Sequence, residues 1–163
     1  MNEIDRLIKR IIPPPTREER EGFSNDHILT GLNQLELDQV KERLLQMIKD
    51  DGDYLIAETL VKLNSVEATN HMEIWLNKAS SPAVRIKWAS FITEIRNGDL
   101  KMEAIAYQEF QNFKFKYEVE SIIFYDLIKF QSDRINDLIR NYIDHKYFLV
   151  SLHAKRALGL DDE

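Results

Sequence analysis

Not one cysteine occurs in this chain of 163 residues. That absence excludes disulfides, thiolate metal sites and a cysteine nucleophile, and it suits a reducing compartment. Turn-forming residues are scarce too: there are five glycines and four prolines, and three of the prolines stand together at Pro13, Pro14 and Pro15. So little turn chemistry favours long helices over a turn-rich β fold. Long apolar runs are also missing. None approaches the roughly 18 residues of a spanning helix, and residues 1–12 carry Glu3, Asp5, Arg6, Lys9 and Arg10 where a secretory signal would be apolar. The expectation is a cytoplasmic protein with no membrane segment.

Positive charge is not in excess. Twenty-two Lys and Arg face 28 Asp and Glu, for a net charge of −6. A groove for DNA or RNA needs clustered cations to displace counterions. The best cluster here, Arg85 with Lys87, is too small for a duplex footprint. Nucleic acid therefore fits poorly as the main ligand, and a basic protein partner suits the charge better.

What is present is helical periodicity. Residues 2–12 place Ile4, Leu7, Ile8, Ile11 and Ile12 on one face, with acidic residues early and basic ones late, as the helix dipole favours. The three prolines then end that helix. Residues 1–15 read as an amphipathic cap with its stop, and residues 16–163 as one α-helical domain, all-α throughout. Thr16 is a candidate N-cap with Glu18 and Glu19 behind it. From Asp26 the apolar pattern resumes at Ile28, Leu29, Leu32 and Leu35.

Beyond this point the pattern recurs. Four second helices share a cadence: AETLVKL from Ala57, ASFITEI from Ala89, FYDLIKF from Phe124 and AKRALGL from Ala154, with starts 32, 35 and 30 residues apart. A period of this size is that of stacked helical hairpins. One hairpin cannot bury its apolar face alone, whereas a stack buries a continuous core. The preceding first helices carry one apolar stripe each: Leu37, Val40, Leu44, Met47 and Ile48; Ala68, Met72, Trp75, Leu76 and Ala79; Met102, Ile105, Ala106, Phe110 and Phe113; Ile135, Leu138, Ile139, Tyr142 and Ile143. Ser65, Asp99 and Ser132 are the expected N-caps of the last three. Residues 83–95 and 117–130 are apolar on most sides, which predicts two sandwiched inner helices.

Two stretches resemble a family. Pro82-Ala83-Val84-Arg85-Ile86-Lys87-Trp88-Ala89 is similar to the Val-Arg-x-x-Ala-Ala opening of the second helix of HEAT repeats. Residues 144–159, ending Ala154-Lys155-Arg156-Ala157-Leu158-Gly159, resemble the same helix with its closing Leu-Gly. The short period is closest to the HEAT-like repeats of phycobilin lyases. The first and third repeats depart from the pattern, with Gly52-Asp53 in place of Val-Arg and Ser121-Ile122-Ile123 in place of small residues. The resemblance implies an α-α superhelix of about four hairpins. It also implies a scaffold for macromolecular contacts, some members being lyases, enzyme regulators or DNA-repair glycosylases. In such repeats the Arg reaches an Asp of a neighbouring hairpin, so Arg85 is expected to pair with Asp50, Asp51 or Asp53. Small proteins of this kind loosely resemble bacterial immunity proteins.

Chemistry-bearing constellations do not emerge. His27, His71, His145 and His153 have no metal-ligand spacing, and His153 reads as a partly buried, hydrogen-bonded histidine. Asp50-Asp51-Gly52-Asp53 lacks the alternation of a calcium loop and reads as a solvated turn. Glu118 and Glu120, two apart on a helix, would point in different directions. No cofactor or metal is expected. The leading expectation is a non-enzymatic module holding a protein on its second-helix face, an immunity or regulatory protein; the alternative is an enzyme of the lyase or DNA-glycosylase kind. The candidate binding residues are Tyr54, Arg85, Tyr117, Glu118, Tyr125 and Lys155: aromatics and polar neighbours at the exposed edges of the second helices.

Overall fold

The computed structural model describes residues 1–160. Among them every regular element is helical and none is a strand, which matches the all-α expectation. The chain divides into two compact units, Met1–His71 and Met72–Glu163.

In the first unit, α1 (Glu3–Ile11) opens on Asn2, whose side chain accepts the Asp5 N–H at 2.8 Å. Its buried Ile8 and Ile11 pack α1 against α3 (Asp26–Thr30) and α4 (Gln34–Met47). Between them, α2 (Arg17–Arg20) is capped by Thr16, whose hydroxyl accepts the Glu19 N–H. A capping box closes α4: the Asn33 side chain takes the Glu36 N–H, and the Glu36 carboxylate takes the Asn33 N–H. Val40, Leu44 and Ile48 of this segment meet the Ile56, Ala57 and Leu60 face of α5 (Tyr54–Lys62) in the core. One polar group is sealed inside. Asn25 donates to the Ile11 carbonyl and to Thr59 Oγ1 (2.8 Å) and accepts from Lys62 Nζ at 2.9 Å, so its burial leaves no bond unmade.

The second unit is organised about α7 (Pro82–Arg96), with Pro82 at its first turn, where no donor is lost. Ile86, Trp88, Ala89, Phe91, Ile92 and Ile95 are all buried. The Trp88 ring stacks on Trp75 of α6 (Ala68–Lys78) at 6.2 Å and meets Phe91 edge-on at 5.6 Å. α7 also packs on α8 (Leu100–Gln111) and α9 (Ile123–Leu127). Asp99 caps α8 by accepting the Lys101 and Met102 N–H groups. Ser132 caps α10 (Asp133–Arg140) through the Ile135 N–H, as the sequence pattern suggested. Ser65 precedes a turn at Val66 and Glu67, and α6 begins at Ala68, whose N–H donates to the Ser65 carbonyl.

Two expectations of continuous helix are corrected. Residues 117–130 form a 3-10 segment (Glu118–Ile122), α9, and a second 3-10 segment (Ile128–Phe130). Local bonds tighten the first turn: the Ser121 hydroxyl donates to the Glu118 carbonyl at 2.5 Å, and Glu120 folds back to accept the Lys116 and Tyr117 N–H groups. β-branched Val119, Ile122 and Ile123 crowd the same turns. In the fourth hairpin α10 stops at Arg140, short of Tyr142 and Ile143, and α11 (Phe148–Ala157) starts at Phe148, not near Asp144.

Candidate functional site

The six sequence-predicted residues are divided between the two units. Tyr54 lies in the first unit, where it lines a cleft of about 870 Å³ with the three prolines, Arg20 and Asp53. The other five belong to the second unit.

Arg85 is an internal strut. Its Nε donates to Glu109 of α8 at 2.7 Å and its Nη1 to the Leu76 carbonyl at 2.9 Å, which satisfies the last turn of α6. Its acidic partner is thus Glu109, not the expected Asp50, Asp51 or Asp53, of which Asp53 is held by Arg20 at 2.7 and 2.5 Å. Periodicity placed Arg85 on α7 but could not reveal that Glu109 lies across from it.

Tyr117, Glu118, Tyr125 and Lys155 sit on elements that pack together, the first 3-10 segment with α9 against α11. Ser121 joins them. Its oxygen lies 2.7 Å from His153 Nδ1, and its proton reaches the Glu118 carbonyl. Both bonds are made when His153 Nδ1–H donates to Ser121 Oγ. The Tyr125 ring lies 5.5 Å from the His153 ring. The serine is fully buried with its proton spent on a backbone carbonyl. The pair is a latch between the 3-10 segment and α11, and the geometry gives the hydroxyl no approach to a substrate. His153 is thus the half-buried, hydrogen-bonded histidine anticipated from its helix.

Outside this latch lies an apolar surface of which the sequence named only Tyr117 as a candidate. Tyr117 is 70% exposed, Val119 64%, Ile122 57% and Phe148 72%, with Tyr147 beside them. Neighbouring rings tie the flanking loops together: Phe115 contacts Tyr142 at 5.4 Å and His145 at 6.3 Å, and His145 contacts Tyr147 at 5.2 Å. Burial in this ring cluster pushes the Tyr142 hydroxyl above its ordinary value. Lys114, Lys116, Asp144 and Lys146 are exposed in the same loops, and Lys146 Nζ lies 5.0 Å from the Tyr147 ring centre. A continuous inner helix would have buried Val119 and Ile122. The tight 3-10 turn swings them out.

Besides the exposed Asp26, which Lys62 and Ser24 hold low, three less exposed carboxylates among the described residues lie below their ordinary values. Burial works to raise Asp53, but the Arg20 bonds, the Leu55 N–H and the Arg20 charge outweigh it. For Asp99, burial is likewise overcome by Arg96, by the Met102 and Lys101 N–H groups and by the Arg96 charge. Glu103 is lowered by the Ser132 hydroxyl at 2.7 Å and by Arg134 at 2.8 Å. All three serve caps and ties between elements. Among the described residues no three His, Asp or Glu side chains are grouped to hold a metal ion, and no helix is long and apolar enough to cross a membrane.

Comparison with protein-family models, with curated proteins and with solved structures finds no match for this chain.

Proposed function

We propose that this chain is a non-enzymatic module that binds another protein through the face formed by the first 3-10 segment and the start of α11. One observation carries the reading. Tyr117, Val119, Ile122, Tyr147 and Phe148 are exposed on two elements that are themselves latched together by Ser121 and His153. Rigid, exposed aromatics at an apolar surface are typical interface anchors. Their backing by a fixed polar latch lowers the ordering cost of binding.

The face belongs to second-helix elements of the third and fourth hairpins, in keeping with a HEAT-like reading of the repeats. Consecutive pairing within the second unit, α6 with α7 and α10 with α11, supports that reading. Net charge alone favoured a basic partner. The rim carries Lys114, Lys116 and Lys146 beside Glu118, Glu120 and Asp144, so its charge is mixed and the partner at this face presents chiefly apolar side chains. An immunity or regulatory protein would use such a surface.

Tyr117→Asp with Phe148→Asp tests the reading. Both side chains are largely exposed, so the variant keeps its helix content and melting temperature. It loses a partner that the unaltered chain retains in co-purification from the native cell. Equal recovery of the same partner by both chains refutes the proposal.

A further inference from the structure

We infer that His145 is a pH-sensitive catch on the protein-binding face: as a neutral imidazole it holds Tyr147 and Phe148 in place, and on protonation it lets them go. This regulation rests on the binding role proposed for that face.

The catch is one hydrogen bond. The Tyr147 N–H donates to His145 Nδ1 at 3.1 Å. Only an unprotonated ring nitrogen accepts, so the proton of the neutral ring sits on Nε2. A second proton can add only at Nδ1, where it displaces the Tyr147 N–H. Charging the ring therefore opens the bond directly.

Position makes that bond matter. Tyr147 is the N-cap of α11, and its side chain makes no bond to the first turn. Residues 141–147 are instead fixed from three points. The His145 N–H donates to the Tyr142 carbonyl at 3.1 Å, Ser151 Oγ donates to the Ile143 carbonyl, and His145 Nδ1 receives the Tyr147 N–H. The first two act before position 146. The third reaches Tyr147 and, through it, Phe148, the first residue of the helix.

The His145 ring lies 6.3 Å from Phe115, 5.9 Å from Tyr142 and 5.2 Å from Tyr147. Aromatic rings tolerate a cation beside them, so charging the imidazole spares the cluster and acts on the bond. The ionisable groups around it come from every neighbouring element. Asp144 and Lys146 share its loop, Lys114 and Lys116 flank Phe115, and Glu118 and Glu120 open the 3-10 segment. Tyr142 brings its hydroxyl, Arg140 at the end of α10 is bonded to Asp137, and α11 carries no ionisable side chain before His153. Asp144 and Lys146 flank the histidine with opposite signs, so what protonation changes is the bond. Without its acceptor the Tyr147 N–H turns to water and residues 146–148 gain freedom. Ordering them again adds to the cost of binding. The face weakens as pH falls through the ionisation of His145.

The full ¹⁵N-labelled chain is titrated between about pH 5 and 8, the range in which an imidazole ionises, and read by NMR. The Tyr147 amide shift and the heteronuclear NOE of Tyr147 and Phe148 should follow the His145 ring signals through one common midpoint. His145→Asn supplies an amide oxygen that accepts the N–H two residues on and does not titrate. It should keep the Tyr147 amide at its neutral-pH position and lose the step. His145→Phe keeps a ring without an acceptor, and should leave Tyr147 and Phe148 loose at every pH. In co-purification, washing at about pH 5.5 instead of about 7.5 should release roughly fivefold more partner from the unaltered chain than from His145→Asn, the worth of one hydrogen bond. A Tyr147 amide indifferent to His145, a step that survives in His145→Asn, or equal release from both chains would overturn the catch. The NMR arm needs no partner, so recovering none at either pH counts against the face and leaves the catch to be decided by the amides.

Discussion

Arg20 closes on Asp53 through both terminal guanidinium nitrogens, at 2.7 and 2.5 Å, while its Nη2 also holds the Pro13 carbonyl at 2.7 Å. One side chain thus ties the proline stop after α1 to the residue that caps α5, whose Oδ1 accepts the Leu55 N–H. Arg20→Ala should destabilise the chain by about 2–3 kcal/mol, because it leaves a half-buried carboxylate without its cation. Arg20→Lys should recover less than half of that, since an ammonium cannot form the fork. Urea unfolding measures both; a cost under about 0.5 kcal/mol would place this contact among ordinary surface pairs.

Acid should expose the same carboxylates. Asp53, Asp99 and Glu103 have folded-state values below their unfolded ones. Their contribution is therefore complete above the ordinary carboxylate range and is lost as pH falls through the depressed values. Melting temperature should be flat near neutrality and fall on the acid side. Arg20→Ala should flatten part of that acid limb. An unchanged limb would show that Asp53 is not the group being titrated.

Trp88 is 3% exposed and wedged between Trp75 and Phe91. Trp88→Ala should cost about 3–5 kcal/mol, the range for emptying a large aromatic site. Equilibrium denaturation gives the number, and a loss below about 1 kcal/mol would contradict the packing of α7.

Arg85 separates stability from binding. Arg85→Ala removes the Glu109 pair and a donor to the Leu76 carbonyl, so it should cost about 1–3 kcal/mol. Partner retention per folded molecule should not change. Lost retention in a chain that is still folded would return Arg85 to the binding surface.

Much of the fold was legible in residue spacing. The buried positions Ala57 and Leu60, Ala89 and Ile92, and Phe124 and Leu127 repeat one cadence, and each is a core position. Thr16, Asp99 and Ser132 were readable as caps because an N-cap is a local event. The broken segment at Glu118–Ile122 was not. Its apolar residues fit a helical stripe, and only the Ser121 bonds to Glu118, Leu149 and His153 decide otherwise. Leu149 and His153 lie about thirty residues away, beyond the reach of any local pattern. The same limit misassigned the partners of Arg85 and Asp53. Asn136 has a buried side-chain oxygen for a similar reason: α10 packs on α8, α9 and α11. Of the candidate site, Tyr117 was found as an exposed aromatic, while Val119 and Ile122 were hidden by the assumption of one continuous helix over 117–130, and Phe148 by reading residues 144–159 as one helix when α11 starts at Phe148 itself.

The central claim is a protein-binding face at Tyr117 and Phe148, and position-specific photo-crosslinking in the native cell tests it most directly. A benzophenone amino acid would replace Tyr117, Phe148 or, as a control on the exposed α4 surface of the first unit, Glu42. The account predicts one discrete protein adduct from positions 117 and 148. That adduct should be absent from position 42 and lost from position 117 when Phe148→Asp is added. No adduct from either aromatic position, or the same adduct from position 42, would contradict it.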